Sequence, residues 1–326
     1  MSAIFRCLLI AGAAIAVFAH PGWAQEAYPS RPITLVVAVP PGGAADFIAR
    51  LVGQKLSESL GQPVVISNRG GAGGTIASDN TAKAAPDGYT LMLNSITTHG
   101  IGPHLYNKLP YDPVKDFTPI VLAAQLPLLM TINSGHAAKS VKEVIAYGKA
   151  NPGKLSFASS GNGGAPHLSG ELFKSIAGID MLHVPYRGSG PAVIDVGAGR
   201  VDIMFDAVPS LIALIQGDKL RPLAAASAAR NAVLPDVPTF AELGIKGMEI
   251  SLWYGIAGPS GLPPAIVQRL NTEIDKILKL PEVGDSFAKQ GAVPGGGTPA
   301  QFAEFMRAES SRWGEVVQKN NIPKLD

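Results

Sequence analysis

The run Ile33-Thr34-Leu35-Val36-Val37-Ala38-Val39, stopped by Pro40-Pro41-Gly42-Gly43, sets the architecture. It is rich in β-branched and apolar residues without strict alternation, the pattern of a parallel strand buried on both faces. Beyond the stop, Phe47, Ile48, Leu51, Val52, Leu56 and Leu60 recur at helical spacing. A second strand is expected over 64–67. A turn rich in glycine (Gly70, Gly71, Gly73, Gly74) then leads into a helix over 76–85 and a third strand over 90–94. This βαβαβ order predicts an α/β unit with a mainly parallel sheet flanked by helices.

The same grammar recurs downstream. Strands are expected over 128–132, 155–158, 181–184, 201–205 and 220–226, with helices between them. Ser140 and Glu143 have capping-box spacing at one helix start. These elements make a second α/β unit, 127–228. The last third carries two amphipathic helices. One opens at Pro263-Pro264; the other opens at Thr298-Pro299 with Gln301 in capping-box position. Their apolar stripes need a surface to bury against, so they are expected to return to the first unit. That unit is then discontinuous, 25–126 plus 229–326.

Composition narrows the function. The 326 residues carry 27 Lys plus Arg against 25 Asp plus Glu, leaving no cationic excess for a nucleic-acid partner. Hydrophobic residues at 46% supply material for a core. Arg6, the apolar run 8–18 and Gly22-Trp23-Ala24 read as a secretory leader over 1–24, too short to span a membrane. The single cysteine, Cys7, falls inside it, so no disulfide or cysteine metal site is expected in the remainder. The expected compartment is the periplasm. No phosphate-binding loop, dinucleotide fingerprint, nucleophile elbow or zinc-protease motif occurs. His167 and Glu171 stand one helical turn apart, but two such groups make a poor metal site. Neither a metal nor a cofactor is expected.

Four turns at strand ends remain. They hold Pro41, Gly42, Gly43, Ala44, Ala45 and Asp46; Ser95, Thr97, Thr98 and His99; Ser159, Ser160, Asn162 and Gly163; and Tyr186, Arg187, Gly188 and Ser189. In open α/β sheets ligands bind beyond the carboxyl ends of the strands. Glycine permits close approach of the backbone there, and helix amino termini offer amides to an anion without a cationic side chain. Asp46 either caps the helix that follows or orients a water or a cationic group. Arg187 either meets a carboxylate or is solvated at the rim. Asp206, after a predicted strand, either faces the cleft or closes a turn.

The chain resembles the substrate-binding receptors of tripartite tricarboxylate transporters, the TctC-like or Bug family. The resemblance is carried by Tyr28-Pro29-Ser30-Arg31-Pro32-Ile33, Val39-Pro40-Pro41-Gly42-Gly43 with Asp46, and Asn68-Arg69 before the glycine-rich turn. Further markers are Pro86-Asp87-Gly88-Tyr89, Leu109-Pro110-Tyr111-Asp112-Pro113, Val184-Pro185-Tyr186-Arg187-Gly188 and Leu234-Pro235-Asp236-Val237-Pro238. The resemblance implies a two-lobed periplasmic binding fold of type II-like form that closes on its ligand. It implies a carboxylate held by 41–46 and 186–189, partly through water, with 159–163 as a lining segment. Gly100 and Gly102 depart from the family pattern, which has Ala and Asn in that stretch.

The function expected is therefore a non-catalytic, monomeric receptor. It captures a small organic acid and delivers it to inner-membrane permease subunits of a tripartite transporter. A periplasmic sensor for a signalling partner is one alternative. A secreted α/β hydrolase using Ser159 or Ser160 with His167 as base is another.

Overall fold

The computed structural model describes residues 28–320 and 322–325, so the expected leader over 1–24 lies outside the described residues. The opening run forms β1 (Ile33–Val37), followed by α1 (Ala44–Leu60), β2 (Val64–Asn68), α2 (Thr75–Ala82) and β3 (Thr90–Ser95). β1 lies between β2 and β3 and is parallel to both. Both of its faces are covered. Leu35 and Val37 enter the main core, while Val36 meets Ala77, Met92 and Phe117 on the other side.

A π-helical turn (Ile96–Ile101) and a short α3 (Gly102–Leu105) lead to β4 (Phe117–Asn133), the strand on which the fold is strung. Then come α4 (Val141–Ala150), β5 (Leu155–Ser159), α5 (Ala165–Ala177), β6 (Met181–Pro185) and α6 (Ser189–Gly197). β7 (Ile203–Ala207), α7 (Val208–Gln216) and β8 (Leu220–Ala225) complete this half. The chain returns through β9 (Ser251–Pro259), α8 (Pro264–Leu278), α9 (Pro281–Ala288), β10 (Val293–Gly296) and α10 (Pro299–Lys319).

The strands run β2-β1-β3-β9-β4-β7-β5-β6, with β8 and β10 also paired to β4. β4 serves two sheets in succession. Phe117 to Pro127 pair with β9, whereas Leu128 to Asn133 pair with β7 and β8. Three segments cross between the halves together. The Leu128 amide donates to the Ile250 carbonyl (3.1 Å), the Ile250 amide to Ala226 (2.8 Å) and the Ala226 amide to Leu128 (2.7 Å). Both sheets are mixed. The predicted parallel pairs are present among β1, β2 and β3 and among β5, β6 and β7, but every pairing of β4 and β9 is antiparallel.

Two features position the halves. The segment 229–250 packs on the second half, where the Phe240 ring meets Phe173 and Phe205 and Thr239 bridges to Ala225. α10 carries the expected capping box at Thr298 and Gln301 and packs against β4. Its Glu309 accepts from the indoles of both Trp253 (3.1 Å) and Trp313 (3.3 Å), and its Arg312 donates to the Glu249 carbonyl beside the crossing. Gly255 in β9 lies directly under the Phe302 ring of α10, which a side chain at 255 would overlap. Replacing Gly255 by Ala overpacks that contact. The expected loss is about 1–3 kcal/mol of stability, seen as a lower urea midpoint with an unchanged slope.

Candidate functional site

The turn between β1 and α1 opens to solvent at Pro41, Gly42 and Gly43, with Ala44 and Ala45 buried behind them. Gly42 has φ +96°, a left-handed conformation that favours glycine. Asp46 faces backward into this turn. Its carboxylate accepts from the Gly42 amide (3.1 Å), Arg50 Nε (2.9 Å) and Asn68 Nδ2 (3.1 Å). Burial alone would raise its pKa, but these donors together hold it below the usual carboxylate range. Asp46 thus braces the turn, and its charge is matched by Arg50.

Ser95, Thr97, Thr98 and His99 belong to the turn after β3. Ser95 and Thr98 close a capping box on each other, and Thr97 is half-buried. His99 packs edge-on against Phe117 at 4.5 Å, accepts or donates through Nδ1 to Thr98 Oγ1 (2.8 Å), and has no hydrogen-bond partner at Nε2 among the described residues. Burial lowers its pKa to about 3, so the ring is neutral. Thr98 and His99 are therefore buried in the interior.

In the second half, the turns after β5 and β6 are tied together. The Tyr186 amide donates to the Ser159 carbonyl (3.0 Å) and the Gly188 amide to Ser160 (3.1 Å). Ser159 is fully buried, and its Oγ lies 2.7 Å from His183 Nε2. His167 faces neither serine. Its Nδ1 accepts the Gly163 amide (3.1 Å) and its ring stacks on His183 at 3.9 Å. Burial lowers these histidines to about 4 and about 3 respectively, with Lys174 and, for His183, the neighbouring His167 adding to the effect. The proposed nucleophile–base arrangement of Ser159 or Ser160 with His167 is not assembled. Asn162 and Arg187 are exposed, with no side-chain hydrogen bond among the described residues. Tyr186 is turned away, its hydroxyl donating to Asp195 (2.7 Å). Ser189 donates to Asp206 Oδ2 (2.6 Å), and Asp206 is buried at the end of β7.

Three helices that begin at these turns, α1, α5 and α6, and α2 after the glycine-rich turn 70–74, have Gly43, Gly164, Gly188 and Gly74 at the N-cap and no side-chain cap. α4 and α10, elsewhere, are capped by Ser140 and Thr298. The glycine caps leave first-turn amides free, with the positive end of each helix behind them.

Two tyrosines that sequence reasoning missed join the halves. Tyr106 lies beside Gly73 of the first half, and a methyl group at Gly163 of the second would sit 3.8 Å from its hydroxyl and 2.6 Å from Leu105. Tyr254 pairs with Ser95 in the sheet, and its phenol pKa is raised by burial and by the Asp206 carboxylate. Tyr254 stands as an amphipathic aromatic in a largely apolar run, whereas Tyr106, between Leu105 and Asn107-Lys108, gave no such signal. A concavity of about 500 Å³ elsewhere is bounded by Lys139, Lys142, Ile145 and Leu243, and it contains none of the predicted turn residues. The predicted turns, unlike this concavity, lie at strand ends followed by glycine-capped helix starts.

This arrangement defines a two-lobed solute-binding protein. The family model of the tripartite tricarboxylate transporter family receptor matches residues 48–322. Protein BugT of Bordetella pertussis is 40% identical over 295 residues, covering 90% of this chain and 90% of that protein. The solved structure of R. palustris Rpa4515 with adipate superposes with a TM-score of 0.87 at 37% identity, covering 91% of this chain and 100% of that one. MatC from Rhodopseudomonas palustris with bound malate gives 0.83 at 34%, covering 89% and 100%. The chain belongs to the tripartite tricarboxylate transporter receptor family.

The brace at Asp46 is testable through pH. A carboxyl whose folded pKa is depressed stabilises above the unfolded value, about 3.9, and that stabilisation is lost as pH falls through the folded value. Asp46→Asn should cost about 1–2 kcal/mol at pH 7. In denaturation series, the gap from wild type should close below about pH 4.

Proposed function

We propose that this chain is a monomeric periplasmic receptor. It captures a small organic carboxylate between its lobes and delivers it to the inner-membrane permease subunits of a tripartite transporter, without catalysis. The observation that supports this reading is the set of glycine-capped helix starts that follow strand ends in both halves, which we take to face one cleft. Such amides bind a carboxylate at little desolvation cost, because no counter-charge has to be stripped of water first. Relatives solved with adipate and with malate support the same chemical class. Among the described residues no His, Cys, Asp and Glu grouping suits a metal ion, so the amides are the natural anchors.

The lobes are proposed to divide between 126 and 127 on the outward crossing. On the return they divide near 250 and not at 228, because 229–250 packs on the second lobe. The amides of Gly43 to Ala45 and of Ser189 and Gly190 are proposed to grip the acid, with Thr97, Ser160, Asn162 and Arg187 reaching its remainder. Closure follows from a ligand that touches both lobes, since only differential affinity for the closed form shifts the equilibrium.

Titration of the purified protein with C4 to C6 dicarboxylates, tricarboxylates and aromatic acids should find a saturable ligand; silence across the panel counts against the reading. Gly43 gives a sharper test. A Cβ there would meet nothing within 4 Å, and its φ of −99° suits any residue. Gly43→Val should weaken binding about tenfold or more while leaving the melting temperature nearly unchanged. Gly188 is a poorer probe, because its φ of +107° would strain any other residue.

A further inference from the structure

We propose that Ser189 and Asp206 form a donor–acceptor switch at the second-lobe end of the cleft. Capture of a carboxylate there is accompanied by proton uptake at Asp206, which turns the Ser189 hydroxyl from acceptor to donor. The inference rests on the receptor reading above and goes beyond it, by assigning the cleft a proton stoichiometry.

Asp206 is 2% exposed, and no Lys, Arg or His pairs with it among the described residues. The groups that face it are all neutral. Ser189 comes from α6, the Ala207 amide and Ser210 from the start of α7, and Tyr254 from β9. A carboxylate in such a place keeps its charge only through hydrogen bonds. Burial lifts its pKa to about 6 against the pull of Ser189, Ala207 and Ser210. The neighbouring Tyr254 phenol is pushed up and stays protonated.

A serine hydroxyl has one hydrogen. While Asp206 is ionised it accepts only, so the hydrogen of Ser189 is committed to Oδ2 at 2.6 Å. Ser189 sits at the first position of α6, and what its oxygen then offers the cleft is lone pairs. Those repel a carboxylate and accept instead from water or from a ligand hydroxyl. When Asp206 takes a proton from solvent buffer, the balance reverses. Oδ1 still accepts from the Ala207 amide (2.7 Å), an obligate donor, so the new O–H lies on Oδ2 and points to Ser189 Oγ. The Ser189 hydrogen is released to the acid in the cleft, and the buried negative charge that opposed it is gone. The two protonation states therefore present opposite hydrogen-bonding faces at one atom. A bound anion favours the protonated state and raises the pKa of Asp206 further.

The test is calorimetric titration with adipate and with malate at pH 6 and pH 8, each in two buffers of different ionisation enthalpy. Wild type should take up a fraction of a proton on binding, and should bind about fivefold more tightly at pH 6 than at pH 8 for a one-unit shift from about 6. Protonation of the acid itself is common to all proteins tested and cancels in the comparison. Asp206→Asn places an amide donor against Ser189 and should bind tightly at both pH values with no proton uptake beyond that of the acid. Ser189→Ala, which keeps Asp206, should lose the tightening at pH 6. Binding by wild type without proton uptake, or a pH dependence that survives Asp206→Asn, overturns the switch alone. No saturable binding by wild type to either acid or to the wider dicarboxylate panel overturns the receptor reading, and the switch with it.

Discussion

The main-chain pairing of β4 is the constraint from which the molecule's other properties descend. Its first eleven residues are hydrogen-bonded into one sheet and its last six into another, so the two halves share a covalent and a hydrogen-bonded spine. Around residues 126–128 the partner changes from β9 to β7 and β8, and the return and outward chains are bonded to each other there. The strand ends on either side are held in register by this pairing. The turns that gather at those ends inherit their positions from backbone geometry. They do not depend on the rotamers of long side chains, which cost entropy to fix.

The same economy governs the electrostatics. α4 and α10 have their first amides satisfied by Ser140 and Thr298. α1 and α6, which start at the candidate turns, have glycine at the N-cap and leave those amides open, while Ser95 and Thr98 close a capping box at the turn after β3. The acidic groups near the cleft are handled in two ways. Asp46 has a cation and two amide donors and keeps its charge turned inward. Asp206 has only neutral donors and sits near its titration point. Their surroundings, not their residue type, decide that one braces and the other responds.

Much of this was legible in the sequence. β1, the glycine stop after it and the capping boxes at 140 and 298 are local signals, and each element formed where the local chemistry placed it. β9 was missed because Gly255 and Gly258 interrupt its pattern, and both are glycines for tertiary reasons, the close approach of Phe302 and Leu262. The first half of β4 was missed because Pro119 and two register shifts break its periodicity. Antiparallel pairing across the two halves is non-local, and no short window of sequence carries it. At the site, the glycines were readable because their conformational demand is intrinsic. The inward turn of His99 and the bridging places of Tyr106 and Tyr254 were not, since each depends on a partner far away in the chain.

Glu309 has a spectroscopic consequence. Trp253 and Trp313 both donate to it, and Trp23, the remaining tryptophan of the chain, lies in the expected leader. The two indoles of the folded body thus report on a single carboxylate beside the crossing, where Arg312 also grips the Glu249 carbonyl. Ultraviolet emission from the folded body therefore samples the crossing between the halves without an attached dye.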